Sequence, residues 1–200
     1  MNDGTLYYWF MWMGWVITTF LIEKGRTRDK MVLVLLVGII LSGLSVPFPL
    51  GSVNTAFLFF LCVGLAYVIV QSNQLLYYVT SCFIVATAYV SLELFALYDP
   101  VKLIFNKKYM IILILTAMLI VLSKTKKDQF FIPLIGLFIG DTLHKLIIYR
   151  LIGKIEIGSM YVMDILASTS MMLIFMVVLV DMFKKLRRAA FKKVQPAKQI

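Results

Sequence analysis

Acids, histidine, cysteine and proline are all scarce in this chain, and no long polar stretch interrupts it. Its 200 residues include ten Asp and Glu, one His, two Cys and five Pro. Cys62 and Cys82 both fall in apolar runs, which argues against a disulfide framework or a thiolate metal site and for small packing residues. One histidine is too few for a His-rich metal site, so no metal and no cofactor is expected. There is no G-x-S-x-G elbow, no H-E-x-x-H helix and no Walker loop, so the common hydrolase, zinc-peptidase and nucleotidase chemistries have no signature here. With no polar linker, no separate soluble domain is expected. Asp3 and no base precede the first apolar run, which therefore reads as a retained span rather than a cleaved secretory signal.

What the chain has in excess is apolar surface. It is 62% hydrophobic and only 15% charged, with a mean hydropathy of +0.93. A soluble domain is about 45–50% apolar and about 25% charged, so the solvent for this surplus is lipid. At about 20 residues per crossing, the length suits one all-α, polytopic transmembrane helical bundle with short connections. Seven apolar runs can be drawn, at about 6–22, 31–46, 53–70, 75–98, 109–122, 130–149 and 160–182. Residues 1–183 then form a single membrane domain and 184–200 a basic tail. The fifth run is short, and spans only if Lys107 and Lys108 snorkel to the interface. Pro47, Pro49 and Gly51 mark a turn after the second run. Trp9, Trp12 and Trp15 recur at i+3 and read as an aromatic belt.

The charge distribution orients these runs. The net charge of +10 sits at the ends of apolar runs, the pattern of topology signals and lipid contacts rather than of nucleic-acid binding. With the N-terminus outside, fourteen of the 20 Lys and Arg fall on the cytoplasmic side and five outside, and Lys145 lies within a span. That imbalance favours N-out and C-in. Lys184, Lys185, Arg187, Arg188, Lys192 and Lys193 then form a cytoplasmic cluster. It suits anionic headgroups, as an interfacial basic helix or as a plain stop-transfer tail frayed after Pro196.

Ionisable residues within spans are costly and face protein or water. Asp141, His144 and Lys145 share one face of the sixth run, at spacings of three and four. Charge counting puts Glu93, His144, Lys145 and Asp164 in the outer half of the bilayer and Asp141 near its middle. Three readings compete for this cluster. In the structural one, Asp141 pairs with Lys145, Glu93 and Asp164 bond neighbouring helices, and Gly136 and Gly140 let a helix approach closely. In the transport reading, Glu93, Asp141, His144 and Lys145 line a cavity open to the outside, and a protonation couples to solute movement. In the enzyme reading, Asp141 and His144 serve a nucleophile such as Ser168 or Ser170.

The segment Tyr8-Trp9-Phe10-Met11-Trp12-Met13-Gly14-Trp15, the basic loop with Arg26 and Arg28, and the seven-span length resemble the YphA-like integral membrane proteins of Bacillus-type bacteria. The resemblance implies a bacterial cytoplasmic membrane and supplies no catalytic residues. The expectation is a non-enzymatic membrane component that interacts with lipid or protein partners. Small-solute or proton-coupled transport is the alternative, and an intramembrane enzyme the third reading.

Overall fold

The computed structural model describes residues 3–71, 74–99 and 106–194, with the side chains of 152 and 188–194 excepted. Seven helices are present among the described residues: α1 (Thr5–Phe20), α2 (Arg26–Ser42), α3 (Thr55–Val70), α4 (Leu75–Tyr98), α5 (Lys107–Leu122), α6 (Asp128–Ile152) and α7 (Met160–Val194). Helix is the form these apolar runs must take in lipid, since it satisfies every backbone N–H and C=O within the segment. Three helices are long and apolar enough to cross a membrane: Leu75–Tyr98, Asp128–Leu151 and Met160–Arg187. Apolar side chains cover the outside of the bundle too, with Leu33, Ile40, Ile69, Phe83, Leu113 and Phe175 all exposed.

One departure from an all-helical chain sits between α2 and α3. Strands β1 (Ser45–Phe48) and β2 (Gly51–Asn54) pair antiparallel, and β2 pairs parallel with β3 (Ile155–Ile157) between α6 and α7. The expected turn is thus a hairpin with a third strand added. Pro47 is compatible because β1 is the edge strand, where a missing N–H breaks no ladder bond. Gly51 is required, because any Cβ there would run into the Ile155 carbonyl.

The sheet fixes the direction of the helices. It joins the end of α2, the start of α3, the end of α6 and the start of α7. Lys107 and Lys108 at the start of α5 reach Glu93 near the end of α4 and Asp3 just before α1. The helices therefore run alternately up and down between a hairpin end and an opposite, loop end. Among them α4 and α6 share the most extensive contact, and Val85, Ala86, Tyr89, Ile111, Leu115, Leu137 and Ile165 form the buried centre.

Several element boundaries differ from the sequence expectation. The basic stretch 23–30 is helical from Arg26 onward, with Gly25 as the cap of α2; Arg and Lys are good helix formers. Helix α5 starts at Lys107, where the Asn106 side chain accepts from the Lys108 N–H at 3.1 Å. Helix α7 continues unbroken through the start of the tail to Val194. The expected polar turn at 71–74 lies partly, and Lys102 and the residues after Val194 wholly, outside the described residues.

Candidate functional site

The hairpin end gathers the five ionisable residues expected within spans, Glu93, Asp141, His144, Lys145 and Asp164, but it does not use them alike. Asp164 on α7 is fully buried and acts as a clamp. Its Oδ1 accepts from the Tyr7 N–H at 2.7 Å, and its Oδ2 from the Gly4 N–H at 3.0 Å and Lys108 Nζ at 2.7 Å. Gly4 has no side chain with which to cap α1, so an acid from another helix satisfies its first amides. Lys108 also holds Asp3 at 3.0 Å. The start of α1 is thus tied to α5 and α7.

Asp141 is a second clamp. Its Oδ2 accepts from the Gly158 N–H at 2.8 Å, and its Oδ1 faces the Tyr89 hydroxyl at 3.4 Å. The expected i, i+4 pair with Lys145 does not form: among the described residues Asp141 has no ion pair. The competing partner is the turn between β3 and α7, where Gly158 adopts φ +69° and leaves no room for a Cβ beside Phe57. Deeper on α6, a Cβ on Gly136 would come within 2.8 Å of Val85, and one on Gly140 within 3.1 Å of the Ala86 carbonyl oxygen. These glycines set the close approach of α4 and α6.

Glu93 and His144 are arranged differently. Glu93 is 2% exposed, and its Oε2 pairs with Lys107 Nζ at 2.5 Å. Its Oε1 has no hydrogen-bond partner, nor has Nδ1 of His144, which is 7% exposed. The Tyr161 hydroxyl lies beside the Glu93 carboxylate. All three groups line one cavity of about 390 Å³, together with Lys107, Lys145, Glu156, Asp3 and Ser159. A neighbouring cavity of about 650 Å³ beneath the hairpin shares Lys145 and Glu156. Of the five candidate residues, Glu93, His144 and Lys145 meet at the cavity, whereas Asp141 and Asp164 lie behind it as clamps.

Sequence reasoning passed over Lys107, Lys108, Tyr161 and Glu156. The fifth run was expected to span only if the two lysines snorkel, and in the structure Lys107 pairs with Glu93 and Lys108 with Asp164 and Asp3. Their signal was present, because charge counting places the start of α5 at the same depth as Glu93 and Asp164. The serines of the enzyme reading lie elsewhere: Ser168 lines an apolar cavity with Leu6 and Phe10, and Ser170 one with Tyr7 and Leu35. Neither cavity includes His144.

At the loop end, Asp128 is buried, and its Oδ1 accepts from the hydroxyls of Tyr67 and Tyr78 at 3.0 and 2.9 Å. Its Oδ2 accepts from the Thr125 N–H at 2.9 Å, and the Thr125 hydroxyl accepts from the Asp128 N–H at 3.3 Å. Lys184, Lys185 and Arg187 are exposed on the last turns of α7. The side chains of Arg188, Lys192 and Lys193 lie outside the described residues.

Residues 3–200 match the sequence model of the YphA-like integral membrane proteins. The chain is 28% identical over 169 residues to the "Uncharacterized protein YphA" of Bacillus subtilis (strain 168), an alignment that covers 84% of each. No solved structure matches it. The chain belongs to the YphA-like integral membrane protein family.

Proposed function

We propose that this YphA-like integral membrane protein crosses a bacterial cytoplasmic membrane seven times, with its N-terminus outside and its C-terminus in the cytoplasm. It serves as a non-enzymatic membrane component whose basic cytoplasmic face engages anionic lipid headgroups and a protein partner held there. The observation that carries this reading is the segregation of bases to the loop end. Lys24, Arg26 and Lys30 before and within α2, Lys124, Lys126 and Lys127 after α5, and Lys184, Lys185 and Arg187 on α7 are all exposed there. Lys126 also pairs with Asp181 at 2.6 Å, tying the α5–α6 loop to α7. A base near an anionic surface is worth about 1 kcal/mol. Helices α1, α3 and α5 have 16 residues each, about 24 Å at about 1.5 Å per residue, so the bilayer thins locally around them.

The test uses the full chain in nanodiscs of zwitterionic lipid with and without phosphatidylglycerol, reading the lipids retained by native mass spectrometry. Phosphatidylglycerol is enriched around the wild type, and the Lys184→Gln, Lys185→Gln, Arg187→Gln triple variant loses that enrichment. Equal retention by both proteins contradicts the reading.

Small-solute or proton-coupled transport is the runner-up, and the polar cavity at the hairpin end is what favours it. Against it stands the packing beneath: Val85, Tyr89, Leu137 and Ile165 are buried, and both oxygens of Asp141 have partners. A pH-dependent flux into proteoliposomes that His144→Gln abolishes would put transport first.

A further inference from the structure

We propose that the cavity between α4, α6 and α7 is a binding site for a small zwitterion, an ammonium group joined by a short linker to a phosphate or carboxylate. The first support is unused bonding capacity. Most buried polar atoms are paired; among the described residues nine buried side-chain atoms have no hydrogen-bond partner, on Trp15, Thr19, Glu93, Ser123, Gln129, His144, Tyr161, Ser168 and Thr169. Asp164, Asp141 and Asp128 each have partners on both carboxylate oxygens. What marks this cavity is convergence, because Glu93, His144 and Tyr161, which carry three of those nine atoms, all line it. The Tyr161 hydroxyl faces Glu93 across the same wall, so the two form one polar patch.

The second support is the mixture of signs on the wall. Lys107 is paired with Glu93, but neither Lys145 nor Glu156 has an ion pair among the described residues. A bare anion would meet Glu93 and Glu156, and a bare cation would meet Lys107 and Lys145. A metal ion is a poor occupant as well: no group of three or more His, Cys, Asp or Glu among the described residues is arranged to hold one. A ligand carrying both charges satisfies both walls, its anionic group on Lys145 and its ammonium beside the carboxylates of Glu93 and Glu156. The cavity volume of about 390 Å³ lies near the lower end of small-molecule sites, about 300–1,000 Å³. The chemistry is shared by free amino-acid-like solutes and by the headgroup of phosphatidylethanolamine. Binding is read on purified protein, so the inference does not depend on which side of the membrane the cavity faces.

The experiment titrates full-length protein in detergent with O-phosphoethanolamine, using calorimetry and thermal shift. Saturable binding and a raised melting temperature are expected, with ethanolamine alone and inorganic phosphate alone binding at least about tenfold more weakly. Lys145→Gln should weaken binding by about tenfold or more while leaving the melting temperature of the free protein unchanged. Glu93→Gln should weaken binding as well, but it also disturbs the Lys107 pair, so Lys145→Gln is the decisive variant. A second arm measures phosphatidylethanolamine against phosphatidylcholine retained from mixed nanodiscs. Selective retention that Lys145→Gln removes assigns the site to a headgroup, whereas phosphoethanolamine binding without lipid selectivity assigns it to a free solute. The proposal is overturned if neither probe binds, if inorganic phosphate alone binds as tightly as the zwitterion, or if Lys145→Gln changes nothing.

Discussion

At the loop end, one buried acid is fully enclosed by its own neighbours. Asp128 takes two tyrosine hydroxyls and a backbone amide, and it ties α3, α4 and the α5–α6 loop together. At the hairpin end there are four buried ionisable residues on α4, α6 and α7, and only the aspartates are used in that way. Asp164 and Asp141 hold backbone amides of other segments, while Glu93 and His144 line a cavity and each carries a side-chain atom without a partner. The difference separates two uses of polarity in an apolar protein. An acid whose oxygens all have partners fixes the fold, and a group left open beside a cavity is available to a ligand.

Substitutions that break the clamps should have the largest effects. Asp164→Ala leaves Lys108 buried without its main partner and uncaps α1, so a loss of about 3–5 kcal/mol is expected. Thermal unfolding in detergent and the yield of monodisperse protein report it. Asp128→Ala orphans the Tyr67 and Tyr78 hydroxyls and should cost about 2–3 kcal/mol by the same readout. Near-equal losses at the two sites would mean that the hairpin end depends less on its clamp than the geometry implies. Gly136→Ala forces a methyl group against Val85, an overpacking cost of about 1–2 kcal/mol, seen as a smaller drop in melting temperature. Lys145→Gln should shift stability by less than about 0.5 kcal/mol. A large loss there would show that Lys145 belongs with the clamps and not with the cavity.

Much of the helical layout was legible in sequence, because lipid demands long apolar runs and polar residues mark their ends. The fourth run coincides with α4, and α3 and α5 start within two residues of expectation. Counting Lys and Arg also grouped Glu93, Asp164, His144 and Lys145 together, and all four lie at the hairpin end of the bundle. Lateral partnership was not. Asp141 chose the Gly158 amide over Lys145, a choice set by where the β3–α7 turn lands and not by helical periodicity. Strand β3 is three residues long and pairs with a segment roughly a hundred residues earlier, so it carries no alternation to read. Asp128 was not singled out in the sequence, because nothing local announces that two tyrosines from α3 and α4 converge on it.

The central claim is that the hairpin end faces the outside and keeps Lys145 within reach of water. Lys145→Cys, made in a chain whose Cys62 and Cys82 are replaced by alanine, tests it directly in intact cells with a membrane-impermeant thiol reagent. Labelling of intact cells, blocked by prior treatment with a second impermeant reagent, is the expected result. Labelling that occurs only after the cells are permeabilised would contradict the orientation, and no labelling in either state would contradict the open cavity.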